Sequence, residues 1–326
     1  MSAIYWVNKR LLPLLFLMSA GLGLAFAQEF PSRPIKVINP WPAGGPADAI
    51  VRPIVQRLGD VLGQPIIVES RAGNNGVIGS ALVAKSPADG YTLLFGHVGP
   101  TAISPALQRD MPYDSVKDFA PITQVTSSPL MLICRPEIPV KTIGGLIAYA
   151  KVNPGKLTYG SFGNGSTAHL AGEMLKTMAQ INLLHVPYKG AAPVMTDMLG
   201  GQIDCAFFNI AGTVAQIRAG RLRGIAVTTL RRSALMPEFP TVDETLRGFE
   251  VNSWFGFMAP AGTPRPIIGR LHAELVKIVR APDVAELLKL AGLDIESTSP
   301  DEFSQQIRSD LTRWAKLIRD TGIKAD

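Results

Sequence analysis

Cysteine is nearly absent: the 326 residues hold two, Cys134 and Cys205. Both stand in apolar, strand-like runs, Leu130–Cys134 and Ile203–Phe208. Two buried small side chains are the favoured reading, and a disulfide stays open to an exported protein. Histidine is also scarce. His97, His169, His185 and His272 show no ligand spacing with each other or with a cysteine, which argues against a metal site. Charged residues make up only 18% of the chain, and its lysines and arginines are dispersed with no basic-aromatic motif, so nucleic acid is not an expected partner. After residue 27 there is no apolar run long enough to cross a membrane.

Catalytic signatures are missing too. There is no G-x-S-x-G elbow, no phosphate loop ending in G-K-[ST] and no G-x-G-x-x-G. Gly163-Asn-Gly165 continues as Ser-Thr-Ala and lacks the third glycine. Ser161 near His169 has no evident acid to orient a nucleophile–base pair, and Asp204 reads better as a strand-end hydrogen-bonding group than as a catalyst. We therefore expect no enzyme and no cofactor. His185 reads as a packed histidine. Lys189 reads equally as an anion partner or a solvated turn residue, and Trp41 and Trp254 equally as cleft walls or core.

What is present begins with a leader. Lys9 and Arg10 precede the uncharged run Leu11–Phe26, which ends in Ala25-Phe26-Ala27, a small-x-small cleavage pattern. Cleavage after Ala27 starts the mature chain at Gln28. It removes two basic residues and no acid, lowering the net charge from +6 to +4. The remaining mild excess favours anionic ligands. A mature chain of about 300 residues exceeds one ordinary core and suits two domains.

Strand and helix patterns alternate along it. Pro34–Asn39, Pro65–Glu69 and Tyr91–Phe95 read as strands, with helices between them over Ile50–Leu62 and Val77–Lys85. Asp48 is a plausible cap for the first helix, and Pro53 should kink it or delay its start. Phe119–Arg135 reads as a long β crossing into a second domain. There, helix Ile143–Val152, strands Leu183–Tyr188, Ile203–Phe208 and Arg223–Thr228, and the helices between them repeat the alternation. Met174 and Met178 read as core filling. Val251–Met258 returns to the first domain, and three helices, about Pro266–Val279, Asp283–Leu290 and Pro300–Thr321, close the chain. The expected architecture is α/β and two-lobed. Residues 28–126 and 252–326 form a discontinuous first domain and 127–251 the second. Each is a doubly wound, mainly parallel sheet flanked by helices, with a ligand cleft between the lobes.

The stretch Thr158–Leu170 carries the functional reading. A strand end leads through Gly160, Gly163 and Gly165 to a helix over Ala168–Ala179, with Ser166 or Thr167 as its cap. A helix start offers unpaired N–H groups and about half a positive charge, which suits a carboxylate. Ser161, Ser166 and Thr167 add hydroxyls.

Ten segments, in order, carry a resemblance. They are Pro40–Gly45, Leu62–Pro65, Asp89–Leu94, Pro112–Asp114, Ala148–Lys156, His185–Gly190, Asp197–Gly201, Phe239–Val242, Trp254–Gly256 and Ala259–Pro264. Together they resemble the Bug-type extracytoplasmic receptors of tripartite tricarboxylate transporters, over essentially the whole mature chain. The resemblance implies a type II periplasmic binding protein, acting as a monomer, that closes on a small carboxylated molecule and delivers it to a membrane permease. A sensory receptor feeding a signalling partner is the alternative. It also implies two facing loops as jaws. Trp41, Pro42, Gly44, Gly45 and Asp48 belong to one. Ser161, Gly163, Asn164, Gly165, Ser166, Thr167 and His169 belong to the other, and Tyr188, Asp204 and Asn209 stand at the cleft edge. The first turn departs from the family's usual Pro-x-Pro-Gly-Gly-Gly-Thr-Asp: Pro46 lacks an N–H and Ala47 lacks a hydroxyl, so the primary carboxylate is expected on the second loop.

Overall fold

The computed structural model describes residues 30–188 and 190–323; the leader, the start at Gln28 and Lys189 lie outside them. In the first lobe, β1 (Ile35–Asn39), β2 (Ile66–Ser70) and β3 (Thr92–His97) are parallel, with β1 in the middle. Helices α1 (Pro46–Leu62) and α2 (Val77–Ala84) supply the crossovers. After β3 the chain makes a wide helical turn at Gly99–Ile103 and one turn of helix, α3 (Ser104–Leu107). Then β4 (Phe119–Cys134) runs for 16 residues. The second lobe follows with α4 (Ile143–Val152), β5 (Thr158–Ser161), α5 (Thr167–Ala179), β6 (Leu184–Pro187), α6 (Ala191–Leu199), β7 (Cys205–Asn209), α7 (Ile210–Arg218) and β8 (Arg223–Val227). The chain returns along β9 (Asn252–Pro260) and ends with α8 (Arg265–Arg280), α9 (Pro282–Leu290), β10 (Asp294–Ile295) and α10 (Pro300–Thr321).

The lobes share one sheet path, β2-β1-β3-β9-β4-β7-β5-β6, with β8 and β10 also paired to β4. Separate sheets were expected. The difference lies in β4, which pairs with β9 through Pro129 and with β7 from Leu130 onward. A single hydroxyl ties the chain where it changes partner. Thr228 Oγ1 accepts from Leu130 N–H (3.0 Å) and donates to Val251 O (2.6 Å), joining the two crossing segments to the end of β8. Asn252 Oδ1 accepts from Ser128 N–H (3.2 Å) beside it.

Apolar spacing places the helices. Val51, Ile54, Val55 and Leu58 of α1 pack with Leu271 and Leu275 of α8 under the first half-sheet. The start of α10 has a reciprocal capping box between Ser299 and Glu302, worth about 1 kcal/mol. Its buried stripe of Phe303, Ile307, Trp314 and Ile318 contributes more, about 1.5–3 kcal/mol for each large side chain. Trp254 is core: its indole N–H donates to Asp310 Oδ2 at 2.7 Å, and burial raises the Asp310 carboxyl to about 6.

Three local expectations are corrected. Helix α1 starts at Pro46 and continues through Pro53, so the proline does not delay it; Ala49, whose carbonyl loses a helical partner there, is exposed to water. Met178 is at the surface, while Met174 is buried. Cys134 and Cys205 are directly opposite in the β4–β7 ladder, their Cα atoms 4.1 Å apart, and form a disulfide. The apolar strand context concealed a cross-strand pair that sequence distance could not show.

Candidate functional site

Strand direction brings the loops to one edge. β1 and β3 run parallel and end at Asn39 and His97; β5 and β7 run parallel and end at Ser161 and Asn209. The antiparallel β9 starts, and β4 changes partner, between those ends: His97 pairs with Phe255, Ser128 with Ser253, and Leu130 with Asn209. The carboxyl edges of both half-sheets therefore converge on the crossing, where ligands of open α/β sheets bind. Asn209 Nδ2 donates to Ser128 Oγ (3.1 Å), and Ser253 Oγ and His97 Nε2 share a hydrogen bond at 2.8 Å. These four polar groups lie along the junction.

The second loop is built as an open helix start. Gly163 and Gly165 sit at φ +123° and +71°, conformations that favour glycine. Ser166 caps α5: its Oγ accepts from His169 N–H (3.2 Å) and donates to Gly163 O (2.7 Å). Among the described residues, the amides of Thr167 and Ala168, first and second in the helix, have no hydrogen-bond partner. Cap and helix dipole thus leave two donors for an anion. A methyl group on Gly165 would lie 3.6 Å from Leu107 Cδ1 of the first lobe, so this loop abuts the opposite lobe.

The first loop already holds a carboxylate of its own. Asp48 is buried at the third position of α1 and accepts from Gly44 N–H (3.1 Å), Arg52 Nε (2.7 Å) and Asn39 Nδ2 (3.5 Å). The Arg52 hydrogen bond, more than any other contact, holds its carboxyl below the usual range. Gly45 precedes the helix without a side-chain cap, and proline occupies the first position. Trp41 packs edge-on against His97 with centroids 5.2 Å apart, and its buried indole Nε1 has no partner among the described residues. His97 Nδ1 accepts from Gly99 N–H (3.0 Å), and burial pushes this imidazole down to about 3. Trp41 and the uncharged His97 thus brace the loop beside the charged Asp48–Arg52 pair.

The two loops and Asn209 therefore fall on the expected edge, with Pro42, Gly44 and Asn164 exposed. Asp204 does not. It precedes β7 at the opposite end of the strand, where Arg135 pairs with it (2.7 Å) and Thr158 donates N–H and Oγ1–H at 2.9 and 3.0 Å. Strand polarity carries it away from the ligand edge. Ser161 and His169 are buried behind the loop, and the Tyr188 hydroxyl is committed to Asp197 at 2.7 Å. Sequence reasoning missed Ser128 and Ser253; the hydroxyls ahead of Pro129, inside an apolar crossing, were the only hint. Two cavities of about 620 Å³ lie elsewhere, one outside α1 and β2 and one behind the crossing. The latter is lined by both signs of charge, with Asp294 and Glu296, both raised by burial, beside Arg231, Arg232 and Lys289.

A two-lobed α/β frame with polar loops converging on the crossing is the architecture of a type II periplasmic binding protein. Comparison with known proteins gives the family. Residues 50–323 match the tripartite tricarboxylate transporter family receptor, and the chain belongs to that family, one of solute receptors rather than enzymes. It is 39% identical over 318 residues to a protein from the tcbD-tcbE intergenic region of Pseudomonas sp. strain P51, covering 94% of each chain. It is 36% identical to Protein BugT of Bordetella pertussis, covering 95% of this chain and 96% of that one. Among solved structures it is similar to Rpa4515 of R. palustris with adipate (33% identity, TM-score 0.72, 91% and 99% covered). It is also similar to MatC of Rhodopseudomonas palustris with bound malate (29%, 0.69, 89% and 100%).

Proposed function

We propose that the chain is a monomeric periplasmic receptor that captures a small carboxylated molecule between its lobes and hands it to a tripartite tricarboxylate-type permease. Residues 1–27 direct export; residues 28–126 with 252–326, and residues 127–251, are the lobes that close. One observation carries the reading: the Ser166-capped start of α5 leaves the Thr167 and Ala168 amides without a partner among the described residues, that of Thr167 on a half-buried residue and that of Ala168 on a buried one. A carboxylate there accepts both N–H groups and the Thr167 hydroxyl, each hydrogen bond to a charged group being worth about 1.5–3 kcal/mol. The Gly163–Gly165 backbone and Asn164 frame it. Trp41, Pro42, Gly44 and Gly45 face it from the first lobe, and Asn209 stands at its base. Asp48 shapes the first loop without touching the ligand. Relatives with adipate and malate bound support a small carboxylic acid as the ligand. Closure follows because only the closed form touches both loops.

Thermal unfolding against mono-, di- and tricarboxylates, with their amides as controls, tests this. At about 100 times the dissociation constant, binding adds about 2.7 kcal/mol and raises the midpoint by roughly 5 °C. A shift with an acid and none with its amide is expected. If no acid shifts the midpoint, carboxylate capture is wrong.

A further inference from the structure

Behind the second loop three rings stack. Tyr159 lies on His185 with centroids 4.8 Å apart and planes at 23°; His185 lies on His169 at 4.1 Å and 11°. The histidines come from β6 and α5, and each grips one part of the loop. His169 Nδ1 accepts from Gly165 N–H at 3.1 Å. That bond fixes its tautomer, with the ring proton on Nε2, 4.0 Å from Glu173 Oε1. His185 Nε2 and Ser161 Oγ share a hydrogen bond at 2.7 Å, and the same Oγ accepts from Gly163 N–H at 3.2 Å. The amides of Gly163 and Gly165, the two residues flanking Asn164, are therefore held, directly or through one hydroxyl, by the two imidazoles.

This arrangement has a charge condition. A proton on His169 Nδ1 would face the Gly165 N–H, donor against donor, and the bond would be lost. A charged His185 would sit half-buried, face to face with its neighbour. Among the described residues, Glu173 faces the pair and favours charged rings, while Lys176 opposes them. Glu173 already accepts from Tyr159 Oη (2.7 Å) and Lys176 Nζ (2.7 Å), and Lys176 is itself cationic. Burial, reinforced by His169, pushes His185 down to about 4.

We propose that the stacked His169–His185 pair is the positioning element of the carboxylate loop: the loop keeps its binding shape while both rings are uncharged and lets the ligand go when the pair takes up a proton. This rests on the reading of the loop as the carboxylate site, and the test separates the two. In the 15N-labelled protein without ligand, the Gly163 and Gly165 amide signals are followed from pH 7.5 to 4. They are expected to move together with the histidine titration. In parallel, malate and adipate dissociation constants are measured over the same range. His169→Leu removes the acceptor and should weaken binding at least about tenfold at pH 7.5. His169→Asn, whose side-chain oxygen replaces Nδ1, and His185→Gln, whose amide replaces Nε2, should restore binding and flatten its fall in acid. Loop amides that ignore the histidine titration would overturn the proposal. So would Asn and Gln variants that weaken in acid as the native protein does. If neither acid binds at any pH, the receptor reading falls while the amide titration still decides the positioning role.

Discussion

Two helices begin at the edge we propose for the ligand, one per lobe, and they begin differently. α5 has a serine cap, a threonine first and two amides without a partner among the described residues. α1 has no side-chain cap, a proline first and a buried aspartate in its opening turn. Both starts carry the same dipole, yet only one leaves it unanswered. Asp48 supplies the negative charge that α1 would otherwise take from a ligand, and Arg52 keeps that carboxylate ionised. A helix start is thus an anion site only where the chain has not filled it already.

The lobes also differ in how they are braced, and removing a brace gives the largest expected effect. The Cys134–Cys205 bond closes a loop of 71 residues within the second lobe. Cys134→Ala with Cys205→Ala should lower stability by about 2–4 kcal/mol, read by chemical unfolding. Unfolding should then begin in the second lobe; equal loss from both lobes would mean that the shared strand β4 makes them one cooperative unit.

Thr167→Pro comes next and converts the α5 start towards that of α1. Proline is tolerated at the first helical position, and Ser166, at φ −69° and ψ 156°, already has the extended conformation that a following proline requires. Helix and stability should survive. Losing one N–H and one hydroxyl should weaken carboxylate binding by about 1.5–3 kcal/mol per bond, measured by calorimetry. Unchanged affinity would move the ligand off α5.

Behind each loop lies an imidazole that burial holds neutral, His97 in the first lobe and His185 in the second, which predicts acid sensitivity. His97 sits at about 3 and His185 at about 4, against an ordinary 6.5, mainly because burial disfavours the charged ring. As pH falls the unfolded chain takes these protons first. Stability from this source is complete above about 6.5 and declines down to the folded values, by about 1.4 kcal/mol per pH unit for each proton. His97→Gln should remove one proton from that slope and leave the His185 share. A slope unchanged by His97→Gln would show that His97 titrates normally.

The smallest effect is the converse substitution. Pro46→Ala restores an N–H at the start of α1 and should strengthen binding by no more than about tenfold, because Asp48 still answers the dipole. A larger gain would mean that the ligand's second end rests on this turn.

Much of this was legible in the chain. The Asn153-Pro154-Gly155 stop and an apolar stripe located α4 and α10 at their observed bounds, and the Gly-x-Gly-Ser-Thr run marked an anion-ready helix start with Ser166 as a candidate cap. Those features are local: they depend on residues three or four apart and on conformations that glycine alone adopts readily. The two-lobed frame came with the family resemblance. By itself, then, the sequence determined the strand-helix alternation, the open start of α5 and the loss of an N–H at Pro46. Only the tertiary structure decided which neighbours each group met. It set Cys134 opposite Cys205, carried Asp204 to the far end of β7, filled the α1 start with Asp48, and stacked His169 on His185. Register and strand polarity set those contacts, and both follow from packing between segments far apart in the chain, where local pattern holds no information.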